Sequence, residues 1–173
     1  MSLKQALFGF ARNMDKQRKK SYQKEKMIEE FKYQAISYSD KYFDLMDQGN
    51  DFEFKMIYST FNDLEEEVDA YKLVAENWDD INEKMKRLST PTELPSDVYK
   101  LFVESHEMLI EETNIKSQIN LLHMNKLIAE ENDDYELRKE YESKIKILEE
   151  LIPEMEQAYR NAFDALLDIV NNL

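Results

Sequence analysis

Cysteine is absent from the chain, so disulfides and thiolate chemistry are excluded. That absence leaves the compartment open. Glycine occurs twice and proline three times in 173 residues, too little turn chemistry for a β protein of this size. Long apolar runs are missing as well. The longest near the N-terminus, Ala6 to Ala11, is too short for a membrane span or a signal-peptide core. No glycine-rich phosphate loop, nucleophile elbow or catalytic triad pattern occurs. What remains points to a soluble, cytoplasmic chain of long helices with few loops, one domain over residues 1–173 large enough to bury a core.

Charge is plentiful but unevenly placed. The formal net charge is −14. Residues 1–28 carry eight basic side chains (Lys4, Arg12, Lys16, Arg18, Lys19, Lys20, Lys24 and Lys26) against two acidic ones (Asp15 and Glu25), a net of +6 that leaves −20 for the remainder. A basic end of this kind can lie against its own acidic body, meet anionic lipid or nucleic acid, or dock on a partner.

The strongest signal is a heptad seam. Phe54, Ile57, Phe61, Leu64, Val68, Tyr71, Ala75 and Trp78 are spaced alternately three and four residues apart, the pattern of a long helix packed lengthwise on other helices. Glu65, Glu66, Glu67, Asp69 and Lys72 occupy the opposite, water-facing side. The same register places Asn82 on the seam, where a polar residue fixes register or marks a wetted end with Ile81 turned inward instead.

Earlier in the chain, Leu3, Leu7, Phe10 and Met14 begin a stripe that meets polar Gln17, Ser21 and Lys24. It resumes at Ile28, Phe31, Ala35, Tyr38, Tyr42 and Leu45. Gln48-Gly49-Asn50-Asp51 reads as the first turn, with Gly49 in a left-handed cap and Asn50 or Asp51 capping the next helix. Ser89 to Asp97, with Pro91 and Pro95, reads as an ordered loop, and Ser96 or Asp97 as the following cap. The third helix carries Val98, Leu101, Phe102, Met108, Leu109, Ile115, Ile119, Leu122 and Ile128 inward, interrupted by Ser105, Glu112 and Lys126 in a looser, wetter segment. Glu131 to Asp134 form the last turn. The fourth helix keeps its phase from Leu137 and Tyr141 through Ile145, Leu148, Ile152, Met155 and Tyr159 to Ala162, Leu166, Ile169 and Leu173. Because that phase crosses Pro153, a continuous, kinked helix is predicted.

The prediction is therefore an all-α fold of four long antiparallel helices, about 3–47, 51–88, 97–130 and 134–171. They form either an elongated four-helix bundle or paired helical hairpins with coiled-coil-like packing.

No catalytic constellation in the chain has the spacing its chemistry needs. His106-Glu107 is followed by Ile110 where a zinc protease needs its second histidine. At the offset where a di-iron bundle needs glutamate, His123 is preceded by Asn120 and His106 by Val103. Both histidines read as surface or boundary residues. Around Gly49 an EF-hand alignment puts Met46 and Lys55 at ligand positions.

Glu104-x-x-Glu107 followed by Glu130-x-x-Asp133 resembles, in spacing, the all-α nucleotide pyrophosphohydrolases of the MazG kind. That resemblance covers four residues. It implies two carboxylate pairs on facing helices around magnesium, acting on a phosphate substrate. Residues 108–129 contain neither Gly nor Pro, so periodicity instead sets both pairs on one helix, about 39 Å apart.

The reading reached from sequence is a non-enzymatic helical interaction or scaffold protein with no cofactor or metal, binding a protein partner or self-associating. Direct nucleic-acid binding by the acidic body is disfavoured by repulsion. The contact segment is the N-terminal one: Leu3, Leu7, Phe8 and Phe10 with Arg12, Lys16, Arg18, Lys19 and Lys20. Ser2 reads as its helix cap, and Gly9 within it costs about 1 kcal/mol against alanine. An apolar face beside cations also suits an anionic membrane surface, which makes a membrane-peripheral protein the alternative.

Overall fold

The computed structural model describes residues 3–88 and 96–171, except for the side chains of residues 3–13, 15, 31, 35, 96–98, 162–163, 166–167 and 169–171. Four helices make up the fold: α1 (Leu3–Ile57), α2 (Leu64–Lys86), α3 (Ser96–Glu131) and α4 (Tyr135–Asn171). No strand occurs among the described residues. Cross-helix pairs give the directions. On α3, Phe102, Lys116 and Asn120 meet Tyr38, Asn50 and Glu53 of α1 in the same order. On α2, Tyr71 and Asn82 meet His123 and Thr113 of α3 in the reverse order. Arg138 and Glu149 of α4 meet Glu130 and His123 of α3, again in reverse. Successive helices are thus antiparallel.

One core joins all four helices. Tyr38, Tyr42 and Met46 of α1, Val74, Trp78, Ile81 and Met85 of α2, Phe102 and Leu109 of α3, and Tyr159 of α4 form a single buried cluster. A second cluster (Ile115, Ile119 and Ile145, with Leu122, Leu148, Ile152 and Met155) is shared by α3 and α4 alone. The fold is therefore an all-α bundle around Trp78 that continues on one side as an α3–α4 hairpin.

The first turn falls elsewhere than the sequence suggests. Helix α1 passes through Gly49 and ends ten residues after the predicted stop at 47. Gly49 takes no left-handed conformation; it is a point of close approach. A Cβ there would run into the Trp78 ring and come within 2.8 Å of Ile81 Cδ1. Beyond it, Asn50 accepts a hydrogen bond from Lys116 Nζ, and Glu53 accepts from Trp78 Nε1 and Asn120 Nδ2. These tertiary bonds keep the segment helical where local turn chemistry alone would end it.

The helix stops at Ile57; just beyond it the Ser59 hydroxyl donates to the carbonyls of Lys55 and Met56 and so competes with the helical bonds. Asp63 caps α2 by accepting from the Glu66 N–H at 2.9 Å, and Glu66 reaches back to the Asn62 N–H at 2.9 Å, a variant of the reciprocal capping box. The predicted seam is accordingly split between two helices. Its first member, Phe54, is 63% exposed, and only Ala75 and Trp78 at its far end are buried.

The α3–α4 turn follows expectation. Asp133, at φ 55, and Asp134 close the α3–α4 connection. There the Asp134 N–H bonds to Ala129 O, and the Asp134 carboxylate caps Leu137 N. Helix α4 runs unbroken through Pro153. The predicted Ser2 cap and the Pro91–Pro95 loop lie outside the described residues. So do Leu173 and the side chains of Phe31, Ala35, Ser96, Asp97, Val98, Ala162, Leu166 and Ile169.

Candidate functional site

Two regions carry more polar or exposed apolar chemistry than packing requires. The first is the half of α1 that precedes the core. Its composition, rich in Lys, Gln, Glu and Met, favours helix without tertiary support. Among described side chains the first buried one is Tyr38; Met14 and residues 16–27 are exposed on every side. Tyr22 is 68% exposed, Met27 57% and Tyr33 75%. Lys16, Arg18, Lys19 and Lys20 are exposed within this stretch. The remaining predicted contact residues, Leu3, Leu7, Phe8, Phe10 and Arg12, lie on the helix, and their side chains are outside those described. The polar interruption at Gln17, Ser21 and Lys24 faces solvent.

The second region is a polar seam where α1, α2 and α3 meet. Ser105 and Glu112, which break the apolar register of α3, are not wetted gaps: they are 7% and 2% exposed, with Thr113, Ser117 and Asn120 buried beside them. Most of this polarity is satisfied. Asn82 Nδ2 donates to Ile110 O at 2.7 Å and to Thr113 Oγ1 at 2.8 Å, tying α2 to α3 in one register. Ser105 donates back to Leu101 O. The Trp78 indole donates to Glu53, and the Lys116 ammonium lies 4.8 Å over its ring, a cation–π pair. Tyr38 bonds to His106 Nδ1, and Tyr71 stacks on His123. Both histidines are half-buried boundary residues.

Glu112 is different. Lys116 Nζ stands 3.7 Å from its Oε1, an ion pair without a hydrogen bond. Burial pushes the carboxyl above the ordinary carboxylate range, with Lys116 opposing and Glu156 reinforcing. Beside it, between α1, α3 and α4, is a cleft of about 310 Å³. Tyr42, Phe43 and Tyr159 line it, their ring centroids 5.0 to 6.4 Å apart, together with Asp47, Glu112 and Glu156. Burial raises both tyrosine hydroxyls well above the ordinary phenol value. The cleft thus brings aromatic rings and three carboxylates together.

The paired carboxylates read from spacing are not brought together. Glu104 and Glu107 sit in the first half of α3, Glu130 at its end and Asp133 in the turn, all exposed. Among the described residues no three His, Asp or Glu side chains gather as a metal-ion site, so these residues do not form the magnesium site that the resemblance implies. No described helix is long and apolar enough to cross a membrane. Comparison of the chain with protein-family models, curated proteins and solved structures finds no match.

Proposed function

We propose that the chain is a non-enzymatic helical interaction protein whose N-terminal half of α1 binds a protein partner or a second copy of itself. One observation carries the reading. From Lys16 to Met27 a helix shows every side chain to solvent, with Tyr22 and Met27 among its cations. Isolated surface apolar residues are ordinary, but a helix with no packed face has lost the usual source of helical stability. A partner that covers Tyr22, Met27, Tyr33 and Ile36 would restore it. The acidic remainder of a second copy has the complementary charge.

Light scattering on the full chain across concentration tests self-association. The expected mass rises with concentration, and the rise weakens in salt and on combined Lys16→Glu, Arg18→Glu, Lys19→Glu and Lys20→Glu exchange. A monomer mass throughout removes the self-associating form, and a charge-reversed chain that captures the same proteins as the parent in tandem pull-down removes the partner form.

The exposed cations support a second reading, docking on an anionic membrane surface through the same segment. It requires cosedimentation with anionic vesicles that falls with salt, and indifference to lipid rules it out.

A further inference from the structure

The α3–α4 hairpin leaves one face uncovered. A groove of about 390 Å³ runs between Gln118, Leu121 and Leu122 of α3 and Lys144, Ile147 and Leu148 of α4. Among the described residues none of α1 or α2 lines it. Leu121 is 37% exposed and Ile147 59%. Ile128, seven residues from Leu121, Leu137, seven from Lys144, and Leu151, four from Ile147, are also exposed and extend the apolar strip along both helices. A strip this continuous marks an interaction surface, unlike leucines scattered singly. Its rim is acidic. Glu111, seven residues before Gln118, and Glu150 and Glu154, three and seven after Ile147, are exposed on the same helix faces. Lys144 in the lining is paired with Glu140 at 2.6 Å.

From this groove and the unpacked N-terminal arm of α1 we infer that the arm of one copy lies in the groove of a second, an assignment that rests on the self-associating form of the function proposed above. Charge complementarity favours this occupant: residues 111–156 hold 13 acidic and six basic side chains, residues 16–28 one acidic and six basic. Shape fits as well. Tyr22, Tyr33 and Ile36, at steps of eleven and three residues, share one face of the arm, with Arg18, Lys19 and Lys26 three or four residues from Tyr22. Tyr22 to Ile36 spans about 21 Å at helical rise, the same length as Leu137 to Leu151. The tyrosine rings pack on Leu121, Ile147 and Leu148, and the three cations face the rim carboxylates. The arm cannot reach its own groove. Lys116 and Asn120 of α3 meet Asn50 and Glu53 of α1, so the groove is level with the far end of α1. Tyr22 precedes Asn50 by 28 residues on an unbroken helix, about 42 Å at helical rise. Two copies side by side in opposite directions let each arm occupy the other's groove, which closes the pair as a two-fold dimer.

Disulfide cross-linking of the full chain tests it, because a sequence without cysteine accepts site-specific thiols. Under mild oxidation an equimolar mixture of Tyr22→Cys and Ile147→Cys chains should give a mixed dimer, at a yield about fivefold or more above that of Tyr22→Cys with Glu76→Cys, a control on the exposed side of α2. In light scattering, Leu121→Asp and Ile147→Asp should each raise the dimer dissociation constant about tenfold or more. Combined Arg18→Glu, Lys19→Glu and Lys26→Glu exchange should do the same, and adding Glu111→Lys, Glu150→Lys and Glu154→Lys to that chain should restore association. Circular dichroism of each variant separates lost association from lost fold, and the charge exchange, made wholly at exposed positions, keeps the test open should an aspartate variant unfold. A parent that stays monomeric overturns both this assignment and the self-associating reading beneath it. A parent that self-associates while Leu121→Asp and Ile147→Asp match it, or while Tyr22→Cys alone cross-links as fast as the mixture, overturns the groove and leaves the arm pairing with another arm.

Discussion

Gly49 shows how one missing methyl group sets the fold at the residue scale. In an exposed helix interior, alanine would gain about 1 kcal/mol over glycine. Here the added Cβ meets the buried ring of Trp78 and Ile81 Cδ1. The ring cannot swing aside cheaply, because Glu53 holds its indole N–H and Lys116 covers its face. Overpacking of this sort costs about 1–3 kcal/mol, and the added clash at two side chains places this site toward the upper end. Gly49→Ala should therefore destabilise the protein by about 1–2 kcal/mol net, lowering Tm by roughly 2–8 °C. Thermal unfolding followed by circular dichroism measures this, and an unchanged or raised Tm would show that Trp78 gives way. The same glycine explains a misreading. In sequence, Gln48-Gly49-Asn50-Asp51 has the chemistry of a helix stop, and nothing local reveals that a tryptophan almost thirty residues later occupies the space where a side chain would be.

At the scale of the element, the α1–α2 break was legible, but a stronger pattern overrode it. Ser59 to Asp63 is rich in turn formers, and Asp63-x-x-Glu66 is a capping-box signature. The alternation of three- and four-residue steps from Phe54 to Trp78 runs through the break without a phase slip, so periodicity argued for one helix where capping argued for two. Periodicity reports spacing alone, and the six-residue connection happens to keep that spacing while Phe54 before it is exposed and Trp78 after it is buried. The α3–α4 turn and the continuity of α4 are legible in the sequence because there the turn residues and the periodicity agree. The candidate site was hardly legible. Ser105, Glu112 and Asn82 stood out as polar residues on apolar seams, but only the packing of three helices shows that they are buried and which of them is satisfied. Asp63→Ala removes the acceptor for the Glu66 N–H and should cost about 1 kcal/mol, while Asp63→Ser should recover most of it. Urea unfolding at constant m-value checks both, and equal midpoints for parent and Asp63→Ala would mean that the α2 terminus frays freely.

The whole molecule is strongly acidic, and its response to pH combines opposed contributions. Burial holds His106 below the ordinary imidazole value, against a smaller pull upward from Glu107. Burial and then Lys126 hold His123 below it, against Glu149 and Glu53. On acidification the unfolded chain therefore takes up these two protons before the folded chain does. The stability that the histidines contribute is complete above about pH 6.5 and is lost as pH falls through that value. Glu112 works in the other direction. Its carboxyl sits above the ordinary range, so the folded chain binds that proton first. Its ionised form costs stability at neutral pH, and the cost fades as pH falls toward the carboxylate range. Relief of repulsion within a chain of net charge −14 also favours the folded state in acid. The parent's own pH profile mixes all three effects, but differences between parent and variant separate them. Relative to His106→Gln/His123→Gln, the parent should lose stability progressively as pH falls below about 6.5. Relative to Glu112→Gln, it should be less stable at neutral pH and draw level as the medium approaches about pH 4.5. Denaturation midpoints across this range decide the matter. A flat difference for the histidine pair would mean that both imidazoles titrate alike in the folded and unfolded chains, and a flat difference for Glu112 would mean that Lys116 neutralises it after all.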